Sequence, residues 1–396
     1  MTQAGISLSG VIGTTLMRFG ITRGGGPPPQ TALTRETPAY TGVRCTTAIN
    51  EARLQEFMGK AVVDMGAAIS VPLFILGERL GLYKAMAGAG SLTPAQLATK
   101  AGTDERCTRE WLMNQAAGGY VRYDAAAETF TLPDEQAMAM ADENSPVFMH
   151  GAYDIIQSLF RDLPKFEQMF RTGRGLGWGD HDGCLFSGTA RFFRPNYAGN
   201  IVANWIPALD GIGGRLAAGA RVADVGCGYG YSTMLMAEAF PNSEFVGFDA
   251  HGPSVAAARK MADEAGLRNC RFEVASATEY AGGGFDLVAC FDCLHDMTDP
   301  VGAARHVKQS LRPDGAWLIV EPFASDAAAE NLTPVGRVFY GASTLICVPA
   351  SQSGGGPALG AQAGERRLGE IVRQGGFTRF RRATQTPFNL VLEARP

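Results

Sequence analysis

The run Val222-Ala223-Asp224-Val225-Gly226-Cys227-Gly228-Tyr229-Gly230 reads as a strand, a glycine turn and the opening of a helix. Glycines at 226, 228 and 230 let the main chain turn tightly and leave it bare, so a ligand can lie directly on the backbone. Position 231, where a GxGxxG dinucleotide motif would place its third glycine, is Tyr, so the helix is not built to approach a pyrophosphate. Asp224, inside the strand just before the turn, suits a positive amino group on the ligand and would repel a diphosphate. Asp249 ends the next strand, 23 residues after Gly226, where an acid can accept both hydroxyls of a ribose. The glycine turn alone fits a nucleotide-binding or ligand-free Rossmann domain equally well. The three features together favour a nucleoside that carries positive charge and no phosphate.

A proton acceptor working near neutral pH is most simply a histidine, whose unperturbed pKa is about 6.5. The chain has five, at 150, 181, 251, 295 and 306. His295, in Cys293-Leu294-His295-Asp296-Met297, follows the fourth expected strand at the carboxyl edge where open α/β sheets bind ligands. Its plainer alternative is a loop histidine that caps a helix or bonds Asp299. His181, in Asp180-His181-Asp182, is the second candidate, and a solvated charged turn explains it nearly as well. His251 follows Asp249 closely and belongs at the nucleoside rim, whereas His150 and His306 read as structural. Among eight cysteines only Cys290 and Cys293 form a CxxC, with no second pair, so no metal site is expected. Scattered thiols of this kind fit a reducing cytoplasm.

These residues need an α/β frame. Strands are expected at Arg221–Val225, Glu244–Asp249, Cys270–Val274, Phe285–Phe291 and Ala316–Glu321, with helical patterns between them. Phe377–Thr384 and Phe388–Ala394 read as a closing antiparallel hairpin, after an insertion at 325–365. This Rossmann-like domain spans 205–396, and a helical linker with a lid loop at Arg171–Gly188 spans 141–204. Trp178, Phe186, Phe192 and Phe193 around that loop, and Phe339, Tyr340 and Leu345 in the insertion, are candidates for shaping a substrate pocket.

Residues 48–140 read as mostly helical. One helix starts at Ala52, a second covers Pro72–Met86, Thr93 caps a third running to Lys100, and Thr103 caps a fourth running to about Gly118. Short strands at Tyr120–Tyr123 and Thr129–Leu132 follow, which is the element order of a winged helix. Across residues 51–150 there are eight Lys or Arg against thirteen Asp or Glu, so a dimerisation or substrate-roofing module is favoured over a reader of DNA phosphates. Residues 1–47 read as a disordered tail around GGGPPP at 24–29. The net charge of −4 gives no reason to expect nucleic acid or an anionic membrane as partner. No run approaches the roughly 20 apolar residues of a membrane span. A signal peptide is not expected either, and the cytoplasm is the expected compartment.

VADVGCGYG, FVGFDA, FDLVACFDCLHDM and LRPDGAWLIVEP stand in the order and spacing of successive motifs of class I S-adenosylmethionine-dependent methyltransferases. With the winged-helix elements in front, residues from about 50 to 396 resemble winged-helix methyltransferases of actinobacteria and small-molecule O-methyltransferases. The resemblance implies S-adenosylmethionine as cofactor, held by Asp224, Gly226, Cys227, Gly228, Gly230, Asp249 and Ala250. It places the adenine near Ser276, Ala277 and Phe248, and Asp292 at the methionine end or the substrate. It further implies methylation of a small-molecule hydroxyl by a homodimer. His295 would act as base, oriented by Glu321, as in the LHDW-type segment of such enzymes, although Met297 replaces the tryptophan of that segment. Other readings are a winged-helix regulator that senses S-adenosylmethionine, a catalytically idle scaffold, and transfer to nitrogen or carbon.

Overall fold

Asn50 accepts the N–H of Arg53 at 3.0 Å and starts α1 (Glu51–Arg79), a single 29-residue helix. The computed structural model describes residues 49–396, and the expected tail at 1–47 lies outside the described residues. The two helices expected here are one up to Arg79. Pro72 sits on the exposed side of α1, where the carbonyl it leaves unpaired meets water, while Val71, Phe74 and Ile75 are buried on the other side. By length and composition alone this merged helix could cross a membrane, which the interrupted apolar pattern did not suggest.

After α2 (Leu82–Met86), α3 (Pro94–Ala101) opens with a full capping box between Thr93 and Gln96. α4 (Glu105–Ala117) is capped by Asp104 rather than Thr103: the Asp104 carboxylate accepts the Cys107 N–H at 2.8 Å, and Thr103 instead pairs with Thr108. β1 (Arg122–Asp124) and β2 (Thr129–Thr131) form the small hairpin, and α5 (Asp134–Met140) closes the module. Phe74, Tyr83, Trp111, Leu112 and Phe130 make its core.

α6 (His150–Arg161), α7 (Leu163–Thr172) and α8 (Cys184–Asn200) follow. The expected loop at 171–188 is shorter than its glycine content suggests, because α8 already begins at Cys184. Arg191 of α8 pairs with Glu78 of α1 and with Asp154 of α6 (2.6 Å), tying the linker to the N-terminal module.

The second core is an α/β sheet. In chain order its elements are α9 (Ile212–Ala218), β3 (Arg221–Val225), α10 (Tyr231–Ala239), β4 (Glu244–Asp249), α11 (Gly252–Glu264), β5 (Cys270–Val274) and β6 (Phe285–Phe291). Then come α12 (Pro300–Ser310), β7 (Leu311–Pro322), α13 (Pro334–Ala342), α14 (Val348–Ser353), α15 (Gly364–Gln374), β8 (Arg379–Gln385) and β9 (Asn389–Arg395). The strand order is β5-β4-β3-β6-β7-β9-β8, parallel from β5 to β7 and antiparallel at β9 and β8. β6 is buried along its whole length, as expected of a central parallel strand covered on both faces. Val222 pairs with Phe245 on one side and Leu287 on the other, so β3 is where the chain order reverses. Ligands bind outside the carboxyl ends of strands at such a point.

Candidate active site

The turn after β3 has the backbone its glycines promise. Gly226, Gly228 and Gly230 take φ of 80°, 53° and 77°. A Cβ on Gly226 would come within 2.6 Å of Cys293 Sγ, and one on Gly230 would run into the Phe272 ring, so close packing fixes both. At Gly228 nothing lies within 4 Å, and that residue faces open space at the cavity wall. Asp249, at the end of β4, accepts the Gly228 N–H through Oδ2 and the His251 N–H through Oδ1, each at 2.8 Å. It is thereby aimed at the turn, with lone pairs left over for a ligand's hydroxyls.

Asp224 behaves differently from the expectation. Its Oδ2 accepts the hydroxyls of Ser232 and Thr233, both at 2.6 Å, locking the first turn of α10 to β3. Its Oδ1 is buried without a partner and the residue does not line the cavity. Burial lifts its pKa to about 6 against the two hydroxyl donors. It supports the turn from below rather than forming the cavity wall.

The cavity outside β3, β4 and β6 measures about 580 Å³, within the roughly 300–1,000 Å³ of small-ligand sites. Of the residues assigned to the cofactor, Gly226, Cys227, Gly228, Asp249, Ala250, Ser276, Ala277 and Asp292 line it, while Phe248 and Gly230 do not. Its outer wall is the lid region: Trp178, Gly179, Phe186, Phe193 and Tyr197, joined by Ala350 and Ser353 of α14. Phe186 packs on the His251 ring with centroids 4.3 Å apart, and the lid is anchored where Leu176 donates to the Pro349 carbonyl. Phe192 stays outside the wall, and Phe339 and Leu345 pack behind it.

The residues fit a sulfonium nucleoside. The bare turn and Asp249 suit a nucleoside, and among the described residues no Lys or Arg lines the cavity to meet a phosphate.

At the far end two carboxyls face inward. Asp292 follows β6 with φ 51°, and its oxygens accept the Tyr197 hydroxyl at 3.0 Å and the Asn389 amide at 3.2 Å. Burial, with Glu321 nearby, pushes its pKa up to about 7. Asp296 also lines the cavity, and burial lifts it to about 7 as well. Sequence reasoning missed Tyr197, Asn389 and Asp296. The first two reach Asp292 from distant segments and leave no local signal, whereas Asp296 stood next to the chosen histidine.

His295 and Glu321 meet as expected, with Nδ1 and Oε2 2.5 Å apart and Glu321 Oε1 accepting the Leu294 N–H. Both are buried, and neither lines the cavity. Burial alone would lower the His295 pKa, but Glu321 and the Cys347 side chain outweigh it and raise it well above the ordinary value. His181 is not brought to this site. Its Nδ1 lies 3.0 Å from Asp162 Oδ2, its Nε2 is buried without a partner, and burial lowers its pKa. His251 is at the cavity rim, and His150 and His306 bond the carbonyls of Met140 and Tyr280.

A parallel sheet with a reversal at β3, a glycine turn over that strand, an acid closing β4 and an antiparallel terminal hairpin together give a Rossmann-like frame whose cavity suits a nucleoside. Comparison with known proteins agrees. Residues 216–373 match the family described as Methyltransferase domain, and residues 67–142 match the Rv2258c-like winged HTH domain. The stretch similar to a methyltransferase domain thus follows the stretch similar to an Rv2258c-like winged helix. It is 31% identical over 108 residues to the uncharacterized methyltransferase YcgJ of Bacillus subtilis (strain 168), covering 27% of this chain and 42% of that protein. A tRNA (guanine-N(7)-)-methyltransferase of Halorhodospira halophila is 31% identical over 149 residues, 36% of this chain and 58% of its own length. The chain thus spans about half the length of the curated relatives it matches. Among solved structures, that of the mitomycin 7-O-methyltransferase MmcR superposes with a TM-score of 0.63 at 19% identity, covering 88% of this chain and 100% of that one. At that identity the likeness is one of fold.

Proposed function

We propose that this protein transfers the methyl group of S-adenosylmethionine to a hydroxyl of a small molecule. The observation that carries the proposal is the 580 Å³ cavity, with the glycine turn and Asp249 at one end and an aromatic and acidic wall at the other. When bound, S-adenosylmethionine supplies an electrophilic methyl group on a sulfonium. The protein's part is alignment, which can be worth several orders of magnitude in rate. The turn at 226–230 receives the cofactor's main body, Asp249 its ribose hydroxyls, and Ser276 with Ala277 its base. Trp178 and Phe186 supply apolar surface on the cavity's outer wall. The likeness to MmcR, a mitomycin 7-O-methyltransferase, over nearly the whole chain supports oxygen as the accepting atom.

The N-terminal helices support an enzyme over a DNA-binding regulator. Arg106 pairs with Glu110 and Arg109 with Glu105, so α4 presents neutralised pairs where a recognition helix needs free cations. We assign α1 to self-association, because Phe57, Val63, Met65 and Ile69 stand exposed along it. The seven described cysteines are all free, which supports a reducing compartment such as the cytoplasm.

The test is a labelled-methyl transfer screen over phenolic, hydroxylated and amine metabolites, with products identified by mass. A methyl ether is the expected product. An N- or C-methylated product would change the accepting atom, and cofactor uptake without any transfer would leave a binding scaffold.

A further inference from the structure

Four aspartates line the cavity, and three are already engaged. Asp249 accepts the N–H groups of Gly228 and His251. Asp292 accepts from Tyr197 and Asn389. Asp299 caps α12 by accepting the Gly302 N–H at 2.7 Å. Asp296 is different. Beyond its own backbone N–H, no donor among the described residues reaches its carboxylate, and it faces the cavity.

We propose that Asp296, not His295, is the acceptor-side group of this site: its carboxylate binds the hydroxyl of an uncharged acceptor and takes up the proton released in methyl transfer. The inference rests on the methyltransferase reading above. In the step, the acceptor oxygen forms a bond to the methyl carbon while the carbon–sulfur bond breaks and its electron pair stays on sulfur. The acceptor's O–H proton passes to Asp296, which becomes a carboxylic acid.

The surroundings favour this division of labour. His295 is held by Glu321 through Nδ1 and lies outside the cavity lining, so the acceptor meets Asp296 rather than its ring. As a cation beside Asp296 it favours the carboxylate form, against the pull of Glu321 and Asp249 towards the acid. Asp292 is the remaining acid in range. A sulfonium held in the same cavity further favours the Asp296 carboxylate before transfer. Afterwards the sulfur is neutral, and a carboxyl that burial has raised to about 7 can retain the proton. With four aspartates and no Lys or Arg among the described lining residues, an acceptor bearing carboxylate or phosphate would be repelled. The acceptor class that fits is a phenol or alcohol without an anionic group.

The experiment is calorimetric titration of the purified protein with S-adenosylmethionine and, separately, with S-adenosylhomocysteine. It is run at pH 7 in buffers of different ionisation heat, so that proton release is counted directly. The wild type is expected to release protons on binding the sulfonium and fewer on binding the neutral product. Asp296→Asn should bind the sulfonium yet release about half a proton less, the share of a carboxyl titrating near pH 7. Asp292→Asn measures the neighbouring acid's share, and Asp296→Glu keeps the release and controls for loss of fold. On any phenol that the wild type methylates in the screen, Asp296→Asn should also lose turnover by about a hundredfold or more. Unchanged proton release or near-normal turnover in Asp296→Asn overturns the assignment while leaving the methyltransferase standing. Failure of the wild type to take up S-adenosylmethionine overturns both.

Discussion

Glu321 Oε2 lies 2.5 Å from His295 Nδ1, and the pair is sealed in the protein interior beside Cys347 rather than opened to the cavity. The arrangement makes the pair a stability element with a definite pH dependence. The folded His295 pKa stands well above the free value of about 6.5. The stabilisation is therefore complete below that free value and is lost as the pH climbs through the folded one. His295→Leu leaves Glu321 buried with only the Leu294 N–H. It should lower unfolding free energy by about 3–5 kcal/mol at pH 6, the usual range for breaking a buried pair. The gap between wild type and variant should narrow at alkaline pH, as urea unfolding across the pH range would show. A gap that widens with rising pH would mean that the imidazole is buried neutral.

Gly228 and Gly230 share a left-handed backbone but not their surroundings, so alanine should separate binding from folding. At Gly228 the new methyl group meets no protein atom, and the backbone penalty is about 1–2 kcal/mol. Cofactor uptake should fall at least tenfold, because the methyl group stands where the ligand must lie. At Gly230 the Phe272 ring blocks the methyl group, and the protein itself should lose stability. Melting temperature and calorimetric affinity, measured on both variants, distinguish the two effects. Equal losses of affinity at equal stability would contradict this account of the turn.

The parallel strands were legible because β3, β4 and β6 are largely apolar runs and β5 alternates apolar with charged residues, and all four fall where the pattern places them. The glycine turn and Asp249 were legible for a related reason: backbone chirality and ribose geometry constrain residue type at fixed spacing. Other features depend on contacts that a single chain pattern does not carry. Tyr197 and Asn389 converge on Asp292 from opposite ends of the domain. Local spacing places His295 at the carboxyl edge of the sheet, but only packing decides that its ring turns to Glu321 while Asp296 takes the cavity side. Pro72 misled for a physical reason too: it lies on the exposed side of α1, where water can meet the carbonyl it leaves unpaired and the cost of continuing the helix is lower.

Asp249→Asn probes the ribose grip. The carboxylate holds two N–H groups at 2.8 Å, whereas an amide can accept through its oxygen alone. Loss of a charge-assisted acceptor should weaken binding by about 1.5–3 kcal/mol, roughly ten- to a hundredfold. Because the ribose is common to S-adenosylmethionine and S-adenosylhomocysteine, the two affinities should fall together. Selective loss of one would place Asp249 at the sulfur end instead.

The exposed first half of α1 makes the last prediction. Phe57 and Ile69 are each about 63% exposed and Val63 67%, on a helix whose buried residues lie in its second half. Phe57, Val63 and Ile69 fall about 120° apart around the helix, so exposed apolar surface encircles its first half, and a second copy of the chain offers a matching surface by symmetry. Phe57→Asp combined with Ile69→Asp should halve the mass seen by light scattering. Since neither side chain packs in the folded protomer, unfolding free energy should change by no more than about 0.5 kcal/mol per site. A wild-type protein of monomeric mass would remove the dimer. If that monomer also floated with lipid vesicles, α1 would be a membrane-contacting helix instead.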